Sequence, residues 1–138
     1  MKPRRPRIIV VDDEPDMQMF LSTLLRENGF EPIVARDAAE GLEKARSLNP
    51  SCFILNAMIP EDDGVSMYVN LKCDDHLKTL PVIMFSSVAK KIMTQFKYFH
   101  SLSDGRPLPE PEAFLESPPD TEELLREIRR LSLEQKPA

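Results

Sequence analysis

The stretch IIVVDDEPDMQMFLSTLLRENG, residues 8–29, carries the pattern that decides the fold. Its first four residues are an unbroken apolar run of β-branched side chains, which suits a strand buried on both faces of a parallel sheet. After the acidic Asp12, Asp13 and Glu14, the apolar residues Met17, Phe20, Leu21, Leu24 and Leu25 return at helical spacing. Pro15 fits the first turn of that helix, and Gly29 fits its C-terminal cap. A strand followed by an amphipathic helix is the repeating unit of an α/β layer architecture.

The unit recurs along the chain. Residues 32–35 predict a second strand, and Asp37 with Glu40 three positions on resembles a capping box, opening a helix that carries Ala38, Leu42, Ala45 and Leu48. Residues 52–55 predict a third strand, followed by a turn at 60–64 and a short helix over 65–71. Pro81 introduces a fourth strand at 82–85, a helix is expected from Ala89 to about Phe99, and residues 113–115 form a brief fifth strand. Asp120, with Glu123 behind it, opens a last helix bearing Leu124, Leu125, Ile128 and Leu131. Five strand–helix units imply a doubly wound α/β sheet with helices on both faces. Residues 100–112 break the rhythm, because Gly105, Pro107, Pro109 and Pro111 stop both helix and interior strand. An exposed, partly extended loop is expected there, either an inert insertion or a binding element.

The 138 residues suit a single domain, with basic residues 1–6 and residues 135–138 as tails around a body at 7–134. An apolar fraction of 41% beside 30% charged residues is that of a soluble globular protein, and no apolar run approaches the roughly 20 residues of a bilayer crossing. The apolar run after Lys2, Arg4, Arg5 and Arg7 is too short for a secretory signal, so a cytoplasmic location is expected. Without those four residues the 18 basic residues fall to 14 against 23 acidic ones, a poor platform for nucleic acid. Cys52 sits in an apolar run and Cys73 among charged residues, with no second cysteine near either, and both are expected as free thiols. Met17, Met19, Met58, Met67, Met84 and Met93 fall largely on apolar stripes and suit packing, while His76 and His100 stand isolated. The expected 89–99 helix interleaves Lys90, Lys91 and Lys97 with Ile92, Met93, Phe96, Tyr98 and Phe99, more apolar surface than one buried stripe uses. Part of that surface is expected to meet a partner.

In such sheets ligands collect beyond the carboxyl ends of the strands, where strand order reverses. The residues there are Asp12, Asp13 and Glu14, then Asn56, Ala57 and Met58, then Ser86 and Ser87, then Glu116, Ser117 and Pro118. If strands one, three, four and five are neighbours, these residues line one acidic, hydroxyl-bearing crevice. Taken alone, Asp12 to Glu14 are equally what a helix N-terminus favours, and Ser86 is an ordinary strand-end hydroxyl.

Four segments together are more specific: IIVVDDEP at 8–15, FILNAMIPEDDG at 53–64, LPVIMFSS at 80–87 and AFLESPPDTEELL at 113–125. On these the chain resembles the bacterial response-regulator receiver family, the CheY-like domains of two-component signalling, over residues 7–133. The resemblance implies a flavodoxin-like sheet of order 2-1-3-4-5 with five flanking helices. It implies that Asp12 and Asp13, with the backbone of Met58, correspond to a Mg²⁺ site, Ser86 to a phosphoryl-contact hydroxyl, and Phe114 to an aromatic switch position. It also makes Ser117-Pro118 a candidate cis peptide.

Two positions depart from the family. Asn56 stands where the aspartate that accepts phosphate from a histidine kinase is expected, and Ser117 stands where a lysine pairs with the phosphoryl group. A neutral carboxamide is a far weaker nucleophile than a carboxylate and yields no acyl phosphate, and a hydroxyl supplies no positive charge. Losing one of three clustered carboxylates weakens a Mg²⁺ site, and it removes a repulsion of about 4 kcal/mol per pair at about 4 Å and an effective dielectric near 20. A metal-independent fold without a required cofactor is therefore expected. The expected role is a stand-alone, non-enzymatic receiver-like domain acting through association with a histidine kinase, a downstream target or a second copy, by way of the 89–99 helix, the fifth strand, the last helix and the 100–112 loop. One alternative is a working phosphoacceptor whose aspartate has been replaced at position 56, or which uses Glu61, Asp62 or Asp63. Another is a small-ligand sensor using the same crevice, although no Gly-rich phosphate loop favours a nucleotide.

Overall fold

The structure is a computed structural model that describes residues 5–57, 64–86 and 109–134. In chain order the elements are β1 (Arg7–Val11), α1 (Pro15–Glu27), β2 (Glu31–Ala35), α2 (Ala38–Leu48), β3 (Cys52–Asn56), α3 (Gly64–Cys73), β4 (Val82–Ser86), β5 (Ala113–Glu116) and α4 (Thr121–Glu134). The strands form one parallel sheet of order β2-β1-β3-β4-β5, as the resemblance implies. β2 lies on one side of β1 and β3 on the other, so strand order reverses there and the expected crevice lies between the carboxyl ends of β1 and β3.

Successive side chains of a strand point to opposite faces, and the core divides accordingly. Ile9, Val11, Phe53, Leu55 and Met84 pack with Ala38, Ala45, Met67, Tyr68 and Leu71 from α2 and α3. Ile8, Val10, Ile54, Ile83 and Phe85 pack with Leu21, Leu25, Leu124, Ile128 and Leu131 from α1 and α4. Both faces being covered is why β1, β3 and β4 read as unbroken apolar runs rather than alternating ones. The helices lie close on the sheet: a Cβ on Gly41 of α2 would stand 2.8 Å from Met67 Cε and 2.9 Å from Val11 Cγ2.

Local signals act at the helix ends. Asp37 accepts the Glu40 N–H at 2.9 Å, and the Glu40 carboxylate accepts the Arg36 N–H at 3.0 Å, one residue further back than in an ordinary capping box. Past the end of α1, Gly29 takes a φ of +89°, and α2 ends on Asn49 at φ 49°, a left-handed cap that Asn tolerates. β3, β4 and β5 run one residue beyond their expected ends because Asn56, Ser86 and Glu116 still pair with their neighbours.

The structure corrects the α1 stripe. Met19 is 72% and Phe20 40% exposed, and the buried residues of α1 are Leu21, Ser22 and Leu25. Phe20 lies about 100° round the helix from Leu21, at the margin of the face that meets the sheet. Arg5 and Pro6, read as tail, touch the body: Arg5 donates to the Arg26 carbonyl at 3.4 Å, and Pro6 accepts the Glu31 N–H at 2.9 Å. Four helices fall among the described residues. The expected 89–99 helix with its lysines and apolar surface lies outside them, as do Met58, Glu61, Asp62, Asp63, His100 and most of the 100–112 loop. No helix among the described residues is long and apolar enough to cross a membrane.

Candidate functional site

Asp12 directly follows β1 and Asn56 ends the adjacent β3, and the register of β1 on β3 brings their side chains together. The Asn56 carboxamide donates from Nδ2 to Asp12 Oδ2 at 3.3 Å. The other carboxylate oxygen, Oδ1, accepts the Glu14 N–H at 2.9 Å, while the Asp12 main chain accepts from Gln18 Nε2 and donates to the Ala35 carbonyl. Asp12 is thus fully buried with both carboxylate oxygens hydrogen-bonded. Burial pushes its carboxyl group up from the ordinary aspartate range. The Glu14 N–H and the Asn56 amide oppose that shift, and the charges of Asp13 and Glu14 add to it.

Asp13 is exposed beside the buried Asp12 and the half-buried Asn56. On the other side of β3, Ser86 is fully buried at the end of β4, and its carbonyl accepts the Ser117 N–H at 3.0 Å. Ser117 is half-buried and joined to Pro118 by a cis peptide. Phe114 is half-buried and packs against the core cluster that includes Met84 and Tyr68. Asp12 and Asn56 are brought into contact, and Ser86 with Ser117 closes the far side of the same sheet edge. Gln18 is a participant that sequence reasoning missed. Its position one turn into α1, pointing back at the strand end, was the available signal.

The sequence profile of the response regulator receiver domain matches residues 8–101. The chain belongs to that family. This receiver domain is 29% identical over 126 residues to the DNA-binding dual master transcriptional regulator RpaA of Synechocystis, covering 91% of this chain and 48% of that protein, so it spans about half of that relative's length. Among solved structures it is similar to a sensor protein from Polaromonas, with a TM-score of 0.80, 25% identity and coverage of 96% of this chain and 100% of the other. The receiver domain of the sensor histidine kinase PA1611 from Pseudomonas aeruginosa, described with a magnesium ion coordinated in its active site cleft, shares the fold at a TM-score of 0.76 and 18% identity, covering 94% and 98%. Receiver domains are in general signalling modules rather than enzymes, and some bind magnesium.

The residues of this receiver domain fit such an ion poorly. Mg²⁺ demands near-octahedral geometry from hard, preferably anionic oxygens. Here each Asp12 carboxylate oxygen already accepts one N–H, and Asn56 presents its neutral amide nitrogen in place of an anionic oxygen. No group of three or more His, Cys, Asp or Glu among the described residues is arranged to hold a metal. The described cavities lie elsewhere, one of about 390 Å³ between Arg5, Arg26, Phe30, Glu31 and Pro32 at the opposite edge of the sheet.

Proposed function

We propose that this receiver domain acts in two-component signalling by associating with protein partners through a surface that does not depend on its own phosphorylation. The observation that carries the reading is the Asn56 carboxamide at the carboxyl end of β3, donating to Asp12 where the family has an acceptor aspartate. An amide there lacks the anionic oxygen that attacks phosphorus. Ser117 supports the same reading, since a hydroxyl at the end of β5 offers no ammonium to a phosphoryl oxygen. With an amide at position 56 and a hydroxyl at position 117, the domain keeps the sheet of the family and loses its covalent step. Mg²⁺ binds weakly or not at all, and no cofactor is required.

The partner is a histidine kinase, a downstream target or a second copy of the chain. It meets the surface formed by residues 89–99, β5, α4 and the 100–112 loop, and the compartment is the cytoplasm. Incubation of the chain with Mg²⁺ and acetyl phosphate, followed by intact-mass measurement, tests the reading. The mass is expected to stay unchanged. A stoichiometric adduct of about 80 Da, the mass added by one phosphoryl group, would establish a working acceptor at Glu61, Asp62, Asp63 or elsewhere and overturn it.

A further inference from the structure

At the amino edge of the sheet a lysine is buried in the body of the protein. The Lys72 side chain on α3 is 6% exposed. Its ammonium donates to the carbonyls of Lys78 and Leu80 at 3.2 and 3.3 Å, lies 3.7 Å from Glu112 Oε2, and stands 5.4 Å from the centre of the Tyr68 ring. Burial lowers its affinity for a proton, and the Glu112 carboxylate works against that shift. An ammonium has three N–H donors, and two carbonyls leave one directed at the carboxylate.

Glu112 makes a second bond. Its Oε1 accepts the Val82 N–H at 2.7 Å, one residue before the β4–β5 ladder begins at Ile83 and Ala113. The carboxylate therefore extends that ladder by one hydrogen bond and marks where β5 starts. Three residues earlier, the Pro109 carbonyl accepts the Tyr68 hydroxyl at 2.7 Å, and Tyr68 is itself fully buried. The segment 109–112 is thus fixed to α3 and β4 by three contacts of different kinds.

We propose that Lys72, Glu112 and Tyr68 form a latch that holds the segment 109–112 and β5 in place from their amino side. β5 is the edge strand, with β4 as its one neighbour in the sheet. In a domain that lacks a phosphoryl–lysine pair at the carboxyl end of β5, the latch supplies a permanent anchor at the other end. That last step rests on the phosphorylation-independent reading above; the latch itself does not. Breaking the latch releases β5 and leaves β1 and β3 as they are.

Amide hydrogen exchange of the full chain, followed by NMR, tests this. Glu112→Gln keeps an acceptor for Val82 and removes the charge, Lys72→Met removes the ammonium, and Tyr68→Phe removes one hydroxyl. In Glu112→Gln and Lys72→Met, the amides of Val82, Ala113 and Leu115 are expected to exchange about tenfold faster or more, with Ile9 and Val10 at wild-type protection, as local opening would give. Tyr68→Phe is expected to change exchange in the same place and direction, and it is judged by the same criterion if the charge variants do not fold. Wild-type exchange at β5, or a rise that affects β1 and β5 equally, would overturn the latch. Either result leaves the reading of Asn56 untouched, whereas a phosphate adduct would sink that reading and leave the latch standing.

Discussion

At the carboxyl edge of the sheet the buried Asp12 meets, among the described residues, only neutral donors, the Glu14 N–H and the Asn56 carboxamide, whereas at the amino edge the buried Lys72 faces a carboxylate. Neutral donors satisfy hydrogen-bonding capacity and leave the charge uncompensated, so the Asp12 carboxyl is pushed up by burial. An opposite charge at Lys72 offsets part of the desolvation and ties three elements together. The lesson is that one edge keeps the outline of a site for charge-based chemistry, and the other uses charge to hold the fold.

The strongest way to break this contrast is to restore a charge at the first edge. Asn56→Asp places a second carboxylate against Asp12, and repulsion at about 4 Å with an effective dielectric near 20 is worth up to about 4 kcal/mol. Urea unfolding of that variant should show a loss of about 2 to 4 kcal/mol without divalent ions and recovery on adding Mg²⁺, while the wild type responds to Mg²⁺ little or not at all. Equal stability of the two proteins without metal would mean that the crevice is wetter than its geometry indicates.

At the second edge, Glu112→Gln leaves the Lys72 ammonium with two carbonyls and the Tyr68 ring. Because Glu112 is partly exposed, the loss is expected near 2 kcal/mol, below the range for a wholly buried pair. Combining it with Lys72→Met should cost less than the sum of the single changes, and strict additivity would show that the two groups do not interact.

The smallest effect sharpens the contrast between buried and open pairs at the same edge. Arg46 pairs with Asp74 at 2.8 Å, and with the His76 N–H it holds the Asp74 carboxyl below the usual range. A depressed carboxylate contributes stability above its unfolded pKa of about 4, and loses it as pH falls through the folded value. Arg46→Gln should therefore remove less than about 1 kcal/mol near neutral pH and nothing at pH values below the folded pKa, as followed by denaturation at several pH values.

The strands were legible because burial on both faces demands continuous apolar runs, and Asp37 with Glu40 announced α2 through a local bond. Phe20 was misjudged because an apolar residue at helical spacing does not say how wide the covered face is. The crevice could be assembled from strand ends, since topology alone brings Asp12 and Asn56 together. Lys72 could not. Beside Cys73 and Asp74 it reads as a solvated end of α3, and its partner Glu112 lies 40 positions later at the end of a proline-rich stretch of sequence with no periodicity. Long-range pairs of this kind leave no local signature.

The most direct test is an NMR titration of the isotope-labelled wild-type chain with Mg²⁺ and the phosphoryl mimic beryllofluoride, observing the Asn56 side-chain NH₂ pair and the backbone amides of Asp12, Asp13 and Ser86. A crevice closed by the Asn56 amide predicts that these signals stay in place across the titration. Saturable shifts centred on those residues would show a working phosphoryl and metal site, and would contradict the account.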